Sequence, residues 1–129
     1  MIIFDTECYQ NYWLIMFKEI ESGIITHSEV HPGQKINKVG ITTLMENYTT
    51  ISFNGLSYDL PMLTAALQGW SNKSLKKLSD KIIKSNQPSY IICQQNNIDV
   101  PIKQWDHIDL MEVSPGFVSL KLYGCRMGA

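Results

Sequence analysis

Apolar positions along the chain recur with two different periods, and the change from one to the other marks the elements. Residues 1–7 open on Met1, Ile2, Ile3 and Phe4 and stop at Asp5-Thr6-Glu7, which predicts a strand ending in two carboxylates. After a turn at Tyr9-Gln10-Asn11, residues 12–18 are rich in aromatic and branched side chains and predict a second strand, antiparallel to the first. Glu21-Ser22-Gly23 signals another turn. Residues 24–30 then predict a third strand at a sheet edge, ended by His31-Pro32-Gly33. The fold therefore opens on a three-strand antiparallel meander.

From residue 37 to 47 the period lengthens: Val39, Ile41, Leu44 and Met45 predict a helix that crosses the sheet. Residues 48–53 read as a strand stopped by Asn54-Gly55. Leu60, Leu63, Ala66 and Leu67 then predict a helix over 56–67, with Ser57 as its N-cap and Pro61 in its first turn. Ser71 or Asn72 starts a lysine-bearing helix whose predicted buried side is Leu75, Leu78, Ile82 and Ile83. Tyr90-Ile91-Ile92-Cys93 fits a short strand or a helix, and 94–99 is a polar loop. Residues 105–111 predict a final strand with Asp109 near its end, and 118–127 are helical in pattern. Strands alternating with helices predict an α/β fold. The chain shows no internal repeat, low-complexity tract or linker, and 129 residues suit one domain spanning 1–129.

Composition narrows the class without naming it. Hydrophobic residues are 44% and charged residues 18%, which excludes intrinsic disorder. No apolar run approaches the roughly 18 residues of a membrane span, and Asp5 interrupts the opening stretch too early for a signal peptide, so no membrane partner is expected. Cys8, Cys93 and Cys125 are odd in number and lack C-x-x-C spacing, which argues against a disulfide framework or a zinc site and for a reducing compartment. A net charge of -1 gives the whole molecule no attraction for polyanions, so any such binding is local or metal-mediated. The local exception is Lys73, Lys76, Lys77, Lys81 and Lys84; positions 73, 77, 81 and 84 share one helix face, either a solvated face or a phosphate-tracking one.

The candidate chemistry is acidic. Residues two apart on a strand face the same way, so Asp5 and Glu7 project together. Two hard oxygen donors suit Mg²⁺ or Mn²⁺ rather than zinc, although the same pair also describes a strand leaving the core for solvent. Asp59, in a helix's first turn, is either a carboxylate favoured by the helix dipole or one that faces a shared cation. His27 and His31, on a strand, read as surface histidines. Cys8, beside the carboxylates, reads as a buried and inert thiol.

These segments in order resemble the DEDD 3′–5′ exonucleases, and most nearly the proofreading domains of phage family-A DNA polymerases. Phe4-Asp5-Thr6-Glu7 resembles their first motif, and Phe53-Asn54-Gly55-Leu56-Ser57-Tyr58-Asp59-Leu60-Pro61 resembles the N-G-x-x-Y-D-x-P segment of their second. Ile108-Asp109-Leu110 resembles their I-D-T/L strand. Residues 119–128, from Ser119-Leu120 to Arg126-Met127-Gly128, resemble their S-L-x-x-x-G-x-R-L-G helix. The resemblance implies a ribonuclease-H-like mixed sheet, the meander plus parallel strands, flanked by helices. It implies Asp5, Glu7 and Asp59 as catalytic metal ligands, Asp5 bridging, with Thr6 and Asn54 on the terminal nucleotide. It also implies two-metal phosphodiester hydrolysis with Mg²⁺ or Mn²⁺, in which cations about 4 Å apart share anionic ligands. Asp109 matches a sheet strand and is assigned as a carboxylate that is either structural or steadies the metal ligands without touching the metal.

The family's third motif, a helix bearing Y-x-x-x-D or H-x-x-x-x-D, has no counterpart, and Tyr123 has no aspartate four residues on. The expected domain therefore lacks the C-terminal third-motif helix. Three readings follow: an exonuclease completed by another segment, an inactive remnant that binds nucleic acid or protein, and a small phage-type interaction protein. The expected partner is a single-stranded DNA 3′ end, with RNA left open, in the cytoplasm of a bacterial host or phage-infected cell. Apolar surface left by the missing helix predicts self-association or a partner segment. A dinucleotide-binding fold is disfavoured, because the first strand leads to carboxylates rather than to G-x-G-x-x-G.

Overall fold

The computed structural model describes residues 1–112, and its first three strands are the expected meander. β1 (Ile2–Tyr9) and β2 (Tyr12–Glu19) pair antiparallel from Ile2↔Glu19 to Tyr9↔Tyr12, leaving Gln10-Asn11 as a two-residue turn. β1 thus runs past Glu7, further than the break in apolar character predicts, because the ladder to β2 holds Cys8 and Tyr9 extended. β3 (Ile25–Val30) pairs antiparallel with β2 at the sheet edge.

α1 (Lys38–Asn47) follows, with Asn37 as N-cap accepting the Gly40 N–H at 3.1 Å. Next come β4 (Thr50–Ser52), α2 (Asp59–Leu67), α3 (Asn72–Lys84), α4 (Ser89–Gln95) and β5 (His107–Asp109), and a 3₁₀ turn spans Leu110–Glu112. The strand order is β3-β2-β1-β4-β5, with β4 parallel to both β1 and β5. The protein is therefore α/β, a mixed sheet of antiparallel and parallel strands flanked by helices.

Register sorts the side chains by face. Ile2, Phe4, Thr6, Trp13, Ile15, Phe17, Thr50 and Ser52 alternate onto one face and are buried. β3, β4 and β5 are mutually parallel and the two crossovers step across the sheet in the same direction, so crossovers of one hand put α1 and α2–α4 on the same side. Ile41, Met45, Leu60, Leu63, Leu75, Leu78 and Ile92 accordingly join the strand residues in one core. The opposite face carries Ile3, Leu14, Met16, Ile51 and Ile108 alongside Asp5 and Glu7, and none of the described helices covers it.

The structure departs from the sequence pattern in four places. β4 is shorter than its apolar run, since only Thr50 to Ser52 find ladder partners. α2 is capped by Tyr58 with no side-chain cap bond rather than by Ser57, because Ser57 and Tyr58 both donate their N–H to the Asn54 carbonyl, at 3.2 and 3.1 Å, in the preceding turn. α3 buries Leu75, Leu78 and Ser79, while Ile83 is 67% exposed, one position off the stripe. β5 is His107–Asp109 rather than 105–111, since Leu110–Glu112 form the 3₁₀ turn, and of the strand or helix open at 90–93 the structure takes the helix, within α4. The helical pattern at 118–127, Cys125, and the motif at 119–128 lie outside the described residues.

Candidate functional site

The parallel ladder between β1 and β4 covers only Ile2↔Thr50 and Ile3↔Ile51. Asp5, Thr6 and Glu7 lie beyond it, still paired on their other side with Met16, Ile15 and Leu14 of β2. The chain leaving β4 turns beside this stretch and starts α2 there. This is the crevice at the carboxyl ends of parallel strands where α/β sheets bind ligands.

Strand alternation divides the opening motif. Asp5 and Glu7 are exposed, whereas Thr6 points to the helix-covered face, where its hydroxyl donates to Asp59 Oδ1 at 2.5 Å. Asp59 is the first residue of α2 and is only 3% exposed. Its place suits a carboxylate twice over, at the positive end of the helix dipole and against a buried hydroxyl donor. On the outer face, Glu7 Oε2 accepts from the Tyr9 hydroxyl at 3.2 Å, and the Glu7 charge is the main cause that raises the Tyr9 pKa.

Tyr58 links the two sets. Its hydroxyl lies 2.7 Å from Ser79 Oγ on α3. Burial is the main cause that raises its pKa; the Ser79 hydrogen bond opposes this, and the charges of Cys8, Asp59 and Asp5 add to it. Asp5 and Asp59 therefore act on one phenol, which places both within electrostatic reach of it. Cys8 is half-buried and its thiol is pushed up chiefly by desolvation, as suits an unreactive cysteine.

Asn54 is exposed and left-handed, at φ 61. Asp109, 6% exposed at the end of β5, holds this turn: its Oδ1 accepts the N–H of Asn54 at 2.8 Å and of Met111 at 3.0 Å, and its Oδ2 accepts the N–H of Leu56 at 3.1 Å. The sequence-assigned residues thus occupy three positions: Asp5 and Glu7 on the outer face, Asp59 against Thr6, and Asn54 on a turn fixed by Asp109.

A partly buried polar relay supports the turn and has no counterpart among the residues singled out in the sequence. His107 Nδ1 lies 2.7 Å from Thr50 Oγ1 and Nε2 lies 2.8 Å from Ser52 Oγ. Gly55 packs onto it, with a virtual Cβ 1.8 Å from Ser52 Oγ and 3.0 Å from His107 Nε2. The alternation in Asp106-His107-Ile108-Asp109 was the available signal, because it puts His107 and Asp109 on the same face.

Burial lowers the His107 pKa, with the Asp109 and Asp106 charges partly offsetting it. A neutral ring donates through one nitrogen and accepts through the other; protonation makes both donors and leaves one hydroxyl without its acceptor. The folded pKa lies below the unfolded value of about 6.5, so the unfolded chain binds the extra proton more readily. The stability contributed by His107 is complete above that value and is lost as pH falls through the folded pKa. Urea midpoints are expected to drop from pH 7.5 to pH 5 by more in the wild type than in His107→Gln; equal drops would rule His107 out as the source.

The donor chemistry of Asp5 and Glu7, all hard oxygen on one face, suits Mg²⁺ or Mn²⁺. Among the described residues, however, no three His, Cys, Asp or Glu side chains gather closely enough to hold a metal ion. Those residues do not complete a cation site. Comparison with protein-family models, curated proteins and solved structures finds no match to this chain.

Proposed function

We propose that this chain is a ribonuclease-H-like domain of the DEDD exonuclease type, which engages single-stranded nucleic acid at its 3′ end and serves phosphodiester hydrolysis there. The observation that supports this reading is topological. In the order β3-β2-β1-β4-β5, the D-x-E sequence lies on the central strand and the helix after β4 brings Asp59 to the threonine between the two acids. Asn54, held out by Asp109, is the group offered to the terminal nucleotide. Asp5 and Glu7 supply oxygen donors for a divalent cation, and catalysis takes at least one further donor from outside the described residues. The sheet face beside these acids, with Ile3, Leu14 and Met16, which none of the described helices covers, is where a second copy or partner segment would add it.

A second reading, a domain that binds nucleic acid or protein without hydrolysing anything, is favoured by the lack of three converging ligands among the described residues. One experiment separates them. A 3′-labelled single-stranded oligonucleotide is incubated with Mg²⁺ or Mn²⁺ and either wild type or Asp5→Ala, and release is measured beside a mobility-shift assay. The exonuclease reading expects metal-dependent release of 3′ mononucleotides that falls on the order of 10²–10³-fold in the variant, the size of effect seen when one group stabilising transition-state charge is removed. A mobility shift without release moves the assignment to the binding module. Absence of both removes nucleic acid from the account.

A further inference from the structure

A groove of about 380 Å³ lies on the helical layer, lined by Trp70, Ser74, Lys77, Leu78, Lys81 and Asn96. None of these residues belongs to the Asp5, Glu7 and Asp59 group. The volume falls within the usual range for small-molecule sites, roughly 300–1,000 Å³.

The chain builds its aromatic wall deliberately. Past the end of α2 at Leu67, Gly69 takes φ 91, and the N–H groups of Gly69 and Trp70 return to the carbonyls of Ala66 and Ala65 at 3.0 and 3.2 Å. That C-terminal cap fixes where Trp70 leaves the helix. Trp70 packs against the core and is only partly buried, whereas Trp13 and Trp105 are buried at 0% and 6% exposure. Leu78, buried on α3, makes the groove's apolar floor.

Charge supplies an independent second observation. Lys77 and Lys81 sit one helical turn apart, both exposed, and neither forms an ion pair among the described residues; the acid on that helix, Asp80, is taken by Lys76 at 3.1 Å. Among the described residues, no acidic side chain lines the groove. Asn96 donates its amide nitrogen to the Ile92 carbonyl at 2.8 Å, which leaves its amide oxygen to act as an acceptor. An aromatic side chain lining the groove beside two cations that lack acidic partners among the described residues fits a ligand that is planar at one end and anionic at the other. An acidic peptide would satisfy the lysines but would leave the indole unused.

We infer that this groove binds a nucleotide unit, its base stacked on the Trp70 indole and its phosphate between Lys77 and Lys81, at a site separate from the carboxylates of β1 and α2. Stacking on an aromatic face tolerates any base, and lysines act on phosphate as point charges, so the site discriminates little by sequence and weakens with salt. The inference does not rest on the exonuclease reading.

Trp70 is its own reporter, since the other two tryptophans are shielded. The full chain is titrated with adenosine 5′-monophosphate while tryptophan fluorescence is followed. The wild type is expected to show saturable quenching, and the Lys77→Glu/Lys81→Glu variant to bind about tenfold or more weakly while keeping its wild-type circular dichroism. Asp5→Ala should quench as the wild type does, whatever happens to its 3′ hydrolysis. The inference is overturned by no saturable quenching, by equal quenching in the lysine variant, or by loss of quenching in Asp5→Ala. Displacement of the nucleotide equally well by inorganic phosphate or by a polyglutamate peptide also overturns it, since either result removes the base from recognition.

Discussion

Asp109→Ala is expected to destabilise the protein by about 3–5 kcal/mol, the largest single loss among the described polar groups. The carboxylate is buried and accepts three backbone N–H groups, from Asn54, Leu56 and Met111. Hydrogen bonds to a charged acceptor are worth about 1.5–3 kcal/mol each, and truncation also leaves three part-buried N–H donors without this acceptor. Asp109→Asn separates charge from shape. Its oxygen keeps the bonds to Asn54 and Met111, but its NH₂ faces the Leu56 N–H donor to donor, so about half the loss should remain. Urea denaturation of both variants checks this; an asparagine variant as stable as the wild type would show that the second oxygen contributes nothing. Because the turn that Asp109 holds presents Asn54, both variants should also weaken binding of a 3′ end under the exonuclease reading.

Gly55→Ala is expected to cost about 3 kcal/mol, and its cause is steric rather than conformational. An added Cβ would stand 1.8 Å from Ser52 Oγ and 2.8 Å from Ser52 Cβ. The hydroxyl cannot simply rotate away, since it is bound to His107 Nε2 at 2.8 Å, and a Cβ moves only with its backbone in β4. Ser52→Ala in the same chain removes the nearer clash and should restore part of the loss, leaving the carbon contact. Thermal denaturation of the single and double variants reads this directly. If Gly55→Ala alone melts with the wild type, the close approach of this turn to β4 is wrong. Glycine at 55 is therefore required by the hydroxyl and imidazole beneath it.

Both predictions concern residues whose type was conspicuous in the sequence and whose reason was not. Asn54-Gly55 reads as a turn from composition alone, yet what holds the turn is a carboxylate 55 residues away in sequence. Ser57 has the chemistry of an N-cap, and loses that role because its N–H is drawn into the turn before it. Local preference loses wherever a long-range partner offers a better hydrogen bond.

What the sequence by itself determined is the set of elements and the faces they present. Alternation in β1 and β2, the Pro-Gly stop after β3, and the helical spacing in α1 and α3 depend on neighbours within a few residues, so one chain suffices to read them. It also put Asp5 and Glu7 on one face, since that follows from the period of a strand. Only the tertiary structure decided where the parallel strands join the meander, and hence that β1 is central with β4 beside it. It alone set Thr6 against Asp59, gathered His107 with Thr50 and Ser52, and opened the groove between Trp70 and the lysines of α3. Each of those contacts joins residues far apart in the chain, and sequence spacing carries no information about a distance that packing sets.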